Sequence, residues 1–153
     1  MQRKALIAAN WKMNGSAALV TDMTTVLTPL PLDNVDVLVC PPATLLNRFS
    51  AERNFALGAQ TLSQESRGAF TGELSAELLQ EAGATYVIVG HSERRTLNFE
   101  TDALVGAKLA TAVAAGLIPI LCIGESLAER QQEKTQQVLA RQLDAVYASQ
   151  PEL

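Results

Sequence analysis

Tyr86-Val87-Ile88-Val89-Gly90-His91-Ser92-Glu93-Arg94-Arg95 is the stretch that decides how this 153-residue chain folds. Its first four residues form an unbroken apolar run, the mark of a strand covered on both faces rather than one with a wet side. Gly90 breaks the run, Ser92 is a good N-cap and Glu93 suits a first helical turn. The sequence thus predicts a strand over Tyr86–Gly90 that feeds directly into a helix. Working outward, Ala5–Asn10, Val35–Cys40, Phe55–Gln60 and Ile118–Ile123 have the same continuous apolar character. Amphipathic stretches separate them, clearest in Asp102–Ala115 and Leu127–Ala148. Ser126 and Glu129 have capping-box spacing, and Gly83 and Gly116 fall where a helix must end before the next strand. Strict β-α alternation means a parallel sheet, either open and doubly wound or part of a barrel. The pattern itself leaves both open.

Composition narrows the function classes. Hydrophobic residues make up 48% and charged residues 18%, a globular balance rather than a disordered one. The net charge of −4 and the 5% aromatic content give no basic footprint for nucleic acid. The apolar runs are strand-sized, well short of the ~20 residues of a membrane span. Gln2-Arg3-Lys4 is followed by a short apolar run that Asn10 interrupts, which is not a signal-peptide pattern. Cys40 and Cys122 sit in apolar runs and read as reduced, packed thiols. A cytoplasmic protein of one domain, residues 1–153, is the expectation. Two features stand out: the long connection from Gln60 to Leu74, and an end at Ser149-Gln150-Pro151-Glu152-Leu153, just past a helix where another strand normally follows.

In parallel α/β folds, ligands gather at the C-terminal ends of the strands. The polar residues there are Asn10 and Lys12 after the first strand, Gln60 and Thr61 after the third, and His91 and Glu93 after the fourth, with Glu125 after the fifth. Lys12 has two readings, a point charge for a phosphate or a solvated loop residue. Asn10 reads as a ligand contact or a turn cap. His91 is the single histidine. It reads as a satisfied structural residue, or as a neutral imidazole at the positive end of a helix, donating to a carbonyl oxygen that gains negative charge. Glu93 reads as a base, a partner for Lys12 or, as an N-terminal helix carboxylate usually is, a residue serving helix stability. Arg94 and Arg95 read as makers of ion pairs, with Glu125 as a partner for one of them. No dinucleotide fingerprint, phosphate loop or metal-ligand cluster occurs, so neither cofactor nor metal is expected.

Taken together, Ala9-Asn10-Trp11-Lys12-Met13-Asn14-Gly15 and Val89-Gly90-His91-Ser92-Glu93-Arg94-Arg95 resemble the first-strand and fourth-strand signatures of triosephosphate isomerases. Cys40-Pro41-Pro42, Gly68-Ala69-Phe70-Thr71-Gly72-Glu73 and Pro119-Ile120-Leu121-Cys122-Ile123-Gly124-Glu125 match in the same order. The resemblance spans essentially the whole chain and implies the first five βα units of a (β/α)8 TIM barrel. It implies a cofactor-free aldose–ketose isomerase of glycolysis and gluconeogenesis, interconverting dihydroxyacetone phosphate and D-glyceraldehyde 3-phosphate through an enediol(ate). Asn10 and Lys12 would contact substrate, His91 would polarise its carbonyl, and Glu93 would complete the catalytic set beside Lys12 and His91. Thr71 would reach into the second subunit of a homodimer.

The resemblance also implies two departures. Asn98-Phe99-Glu100 stands where the family pattern has an aromatic residue and a glycine before the glutamate. The sixth-strand segment carrying the general base, the lid after it and the later phosphate-binding loops have no counterpart in these residues. The chain alone is therefore expected to be inactive, either completed by a separate C-terminal chain or a truncated product. Two rivals are a non-catalytic fragment with a structural or binding role, and a five-stranded flavodoxin or receiver-like binding module. The latter would place strand one in the middle of the sheet.

Overall fold

The computed structural model describes residues 4–150. Gln2-Arg3 and Pro151-Glu152-Leu153, on which two of the expectations above partly rest, lie outside them. Five parallel strands, β1 (Ala5–Asn10), β2 (Val35–Cys40), β3 (Ala56–Ala59), β4 (Tyr86–Val89) and β5 (Ile118–Leu121), lie in chain order. The helices between them are α1 (Ala17–Leu27), α2 (Ala43–Leu46), α3 (Ala76–Glu81), α4 (Ser92–Leu97) and α5 (Asp102–Ala114). Two more, α6 (Leu127–Gln131) and α7 (Thr135–Ser149), follow β5. The order β1-β2-β3-β4-β5 puts β1 and β5 at the two edges, which overturns the flavodoxin-like rival with its central first strand. Parallel strands in simple chain order are what the resemblance implies for the first five units of a TIM barrel.

The unbroken apolar runs have the expected cause. Along β2, β3 and β4, Val39, Leu57, Ala59, Val87 and Val89 face the helices and join one core with Leu79, Val105 and Leu109. The alternate residues Leu38, Cys40 and Ile88 form a second cluster on the barrel-interior side, with Tyr86, Ile120 and Cys122 against it. Full burial of each such aliphatic side chain is worth about 1.5–3 kcal/mol. The edges are different: Leu6 and Ile7 of β1 are 44% and 60% exposed, and Ile118 of β5 is 51% exposed.

Two local readings change. The helix start after β4 is one residue earlier than expected, because the His91 side chain is itself the N-cap and Ser92 becomes the first helical residue. The stretch Leu127–Ala148 is two helices, since Glu133 adopts a left-handed φ of 57° that no helix interior accepts. No glycine or proline in Gln131–Lys134 announces that break. The capping box at Ser126 and Glu129 is present, and Gly83 and Gly116 take positive φ just past α3 and α5. Among the described residues no helix is long and apolar enough to cross a membrane.

Candidate active site at the strand tips

The β1 tip fixes Lys12 before its side chain does anything. Lys12 has φ 52°, a left-handed conformation costing a non-glycine residue about 1–2 kcal/mol. Two contacts hold it there. The Asn10 side-chain oxygen accepts the Lys12 backbone N–H at 2.9 Å. The Gln60 amide at the β3 tip donates to both the Lys12 and Cys40 carbonyls, each at 2.9 Å. Trp11 anchors the same turn from behind, its ring 5.9 Å from that of Phe49. Strain maintained by specific contacts is typical of functional positions.

From this turn the Lys12 ammonium reaches Glu93 Oε1 at 2.6 Å, across 81 positions of sequence. The other carboxylate oxygen, Oε2, lies 3.6 Å from His91 Nδ1. Lys12 and His91 therefore converge on one carboxylate. That hydrogen bond from Lys12 holds the Glu93 carboxyl below the usual range, against desolvation and with the charge of Lys12 adding to it. His91 Nδ1 accepts the Glu93 backbone N–H at 3.3 Å. A nitrogen that accepts carries no proton, so the neutral ring has its hydrogen on Nε2. Beside His91 lies a recess of about 230 Å³, lined by Ser92, Arg95, Cys122, Gly124 and Glu125 among others.

The remaining candidates fall outside this cluster. Thr71 sits at the exposed tip of the Gln60–Leu74 connection, whose base is pinned where Ser63 N–H donates to Leu74 O at 2.8 Å. A groove of about 480 Å³ beneath that loop, lined by Glu65, Arg67, Phe70 and Leu78, is larger than the recess but shares no residue with the cluster. Arg94 and Arg95 do form ion pairs, with Glu100 and Asp102 respectively. Glu125 is not their partner; it accepts from Thr135 at 3.1 Å and lies 3.7 Å from Arg130, because the turn into α6 aims it toward α7. Burial pushes the Cys40 thiol up to about 12 and raises that of the partly buried Cys122, against the charge of Arg95. Among the described residues no group of three metal-binding side chains forms.

Sequence reading passed over three polar contacts, two of them buried. Gln60 was visible only as a strand end. Gln142 of α7 is buried and exchanges two hydrogen bonds with the Gly124 backbone, at 2.8 and 3.0 Å. Lys108 is buried and donates to Glu100 at 2.6 Å and to Thr61 at 3.2 Å. Its position on the same helical stripe as Val105 and Ala112 was the available signal, since a lysine there needs a buried partner.

The family model described as triosephosphate isomerase matches residues 5–152. The chain belongs to the triosephosphate isomerase family. It is 53% identical over 150 residues to triosephosphate isomerase of Thiobacillus denitrificans, covering 96% of this chain and 60% of that protein. To the enzyme of Alkalilimnicola ehrlichii it is 49% identical over 148 residues, covering 94% of this chain and 59% of that one. The crystal structure of triosephosphate isomerase from Bartonella henselae superposes with a TM-score of 0.89 at 41% identity, over 94% of this chain and 62% of that one. The chain thus spans about 60% of the length of the triosephosphate isomerases it matches.

Proposed function

We propose that this chain carries the substrate-gripping and carbonyl-polarising part of a triosephosphate isomerase active site, within one domain formed by residues 1–153 and further family length. The observation that supports this is that one residue, Glu93, holds both groups: its carboxylate accepts from the Lys12 ammonium and its backbone N–H donates to His91 Nδ1. In this reading the substrate is dihydroxyacetone phosphate or D-glyceraldehyde 3-phosphate, and no cofactor takes part. Asn10 and Lys12 bind it, the ammonium facing its anionic oxygens. His91 Nε2–H donates to the carbonyl oxygen as negative charge develops there, stabilising the enediol(ate). Glu93 holds the ammonium in place until substrate arrives and steadies His91 through its backbone N–H.

Proton abstraction from carbon needs a carboxylate of its own, a contribution of about 10²–10⁴-fold. Glu93 is committed to Lys12, and Glu125 to Thr135. The general base would come from family length beyond these residues, supplied as a C-terminal complement. Thr71 on its exposed loop would contact a second subunit of a homodimer, acting in the glycolytic and gluconeogenic chemistry of the cytoplasm.

Titration with 2-phosphoglycolate, followed through the single imidazole, tests the first half. The His91 signal should move, and Lys12→Met should weaken binding about tenfold to a hundredfold, the worth of a charge-assisted contact. No binding, or binding indifferent to Lys12, rejects the site. Turnover by residues 1–153 alone at rates typical of complete relatives would reject the assignment of the base.

A further inference from the structure

Strands β4 and β5 pair from Tyr86↔Ile118 to Val89↔Leu121. One more backbone bond, Cys122 N–H to Val89 O at 2.9 Å, closes the ladder. Above it, among the described residues, no backbone N–H reaches the carbonyls of Gly90 and Cys122. A side chain takes that place. Arg95 Nε donates to Gly90 O at 2.8 Å, and Nη2 donates to Cys122 O at 3.3 Å. Its third nitrogen, Nη1, is fixed by Asp102 Oδ1 at 2.5 Å. The other Asp102 oxygen accepts from Arg141 of α7 at 2.8 Å. The Arg95 side chain is only 14% exposed.

We propose that Arg95 is a positioning residue, a guanidinium rung that replaces the next step of the β4–β5 ladder and sets where His91 stands. Gly90 immediately precedes His91, and its φ of 70° leaves no space for a side chain. A Cβ there would lie 2.8 Å from Val105 Cγ1 and 3.0 Å from Arg95 Nη2. The guanidinium is thus packed directly on the backbone that delivers the imidazole. The rung also fixes the spacing of the two strand tips, and with it the width of the recess beside His91. Only a planar fork with several donors spans two carbonyls and a carboxylate at once; a lysine ammonium is a single point. The Asp102–Arg141 pair extends the same hold to α7, so the tip geometry is braced from the outer layer of the fold. The consequence for catalysis rests on the proposed role of His91; the rung itself does not.

Amide exchange in the 153-residue protein tests it. In Arg95→Lys the Cys122 amide, last backbone donor of this ladder, should exchange about tenfold faster. The Trp11 amide, bonded to Cys40 O at 3.0 Å at the far end of the sheet, should keep its protection. The imidazole ¹⁵N signal of His91 should shift or broaden as well. Asp102→Asn, which leaves Arg95 in place but loosens its fork, should give a smaller change of the same kind, and carries the test if Arg95→Lys does not fold. Equal acceleration at Cys122 and Trp11 would mean general destabilisation and overturn the proposal, as would an unmoved His91 signal. These readouts need neither ligand nor turnover, so they succeed or fail separately from the anion titration that tests the active-site proposal.

Discussion

Replacing Phe99 by glycine should make this protein more stable, although it removes an aromatic side chain. Phe99 has φ 56° and is 82% exposed in the turn between α4 and α5. A left-handed non-glycine residue costs about 1–2 kcal/mol. Glycine removes that cost but adds about 0.5–1 kcal/mol of backbone entropy lost on folding. The ring contributes little in return, because most of it already faces water. The net gain for Phe99→Gly is therefore about 0–1.5 kcal/mol, a rise of up to roughly 6 °C in Tm for a chain of this size. Urea unfolding at constant m-value should show a higher midpoint. Phe99→Ala is the control: it deletes the ring but keeps the left-handed backbone, and should stay near the parent midpoint. If alanine and glycine behave alike, or if the glycine variant melts earlier, backbone strain at this turn is not what the geometry says it is.

Three further outcomes follow from buried contacts. Glu100→Gln should destabilise by about 3–5 kcal/mol in urea melts, because it strands Lys108 and Arg94, whose charges both bond Glu100 Oε1. Acid should destabilise the fold through Glu100 and Asp102. Burial raises both carboxyls, but hydrogen bonds from Lys108 and Arg94, and from Arg141 and Arg95, outweigh it and leave both below the ordinary range. Their contribution is thus fully present above about pH 5 and is lost as pH falls through the unfolded-state and then the folded-state values, which urea midpoints measured down the pH scale will show. Gly106→Ala should cost about 1–3 kcal/mol, since a Cβ there collides with Ser149 Oγ and lies 2.7 Å from the Ala145 carbonyl where α5 crosses α7; pairing it with Ser149→Gly should recover only part, because the carbonyl stays.

The fold was legible because parallel strands buried on both faces announce themselves as unbroken apolar runs. The β1 and β2 boundaries coincide with those runs, whereas β3, β4 and β5 stop one or two residues short, where side chains bond the strand-end carbonyls, Gln60 that of Cys40 and Arg95 those of Gly90 and Cys122. What stayed hidden depends on tertiary contact. The split between α6 and α7 lacks a glycine or proline, and Gln142 looks like any polar helix residue until Gly124 is brought against it. Lys12 and His91 were visible as polar residues at strand tips. Their partner was legible too: Glu93 reads as a partner for Lys12, although a carboxylate in a first helical turn more often serves only the helix. The expectation that Ser92 caps α4 failed: propensity favours serine, yet an imidazole placed by the strand already occupied the position.

The exposure of β1 separates two halves of the proposed chemistry. Leu6, Ile7 and Ile118 read as core residues but face solvent at the sheet edges, so strand pairing and packing beyond these residues are what the sequence pattern asks for. The contacts that build the Lys12–Glu93–His91 cluster use β1 only at its tip, through Asn10, and involve none of Leu6, Ile7 and Ile118. Lys12 is held by Asn10 and Gln60, His91 by the Glu93 backbone, and Glu93 by Lys12. Anion binding should therefore already be present in residues 1–153, while turnover appears only when a polypeptide covering the remaining family length is added. That addition should also slow amide exchange along β1 and β5 without changing the anion affinity by more than a few-fold. If phosphoglycolate binds only after the complement is added, the cluster is not locally self-supporting and its geometry depends on the closed barrel.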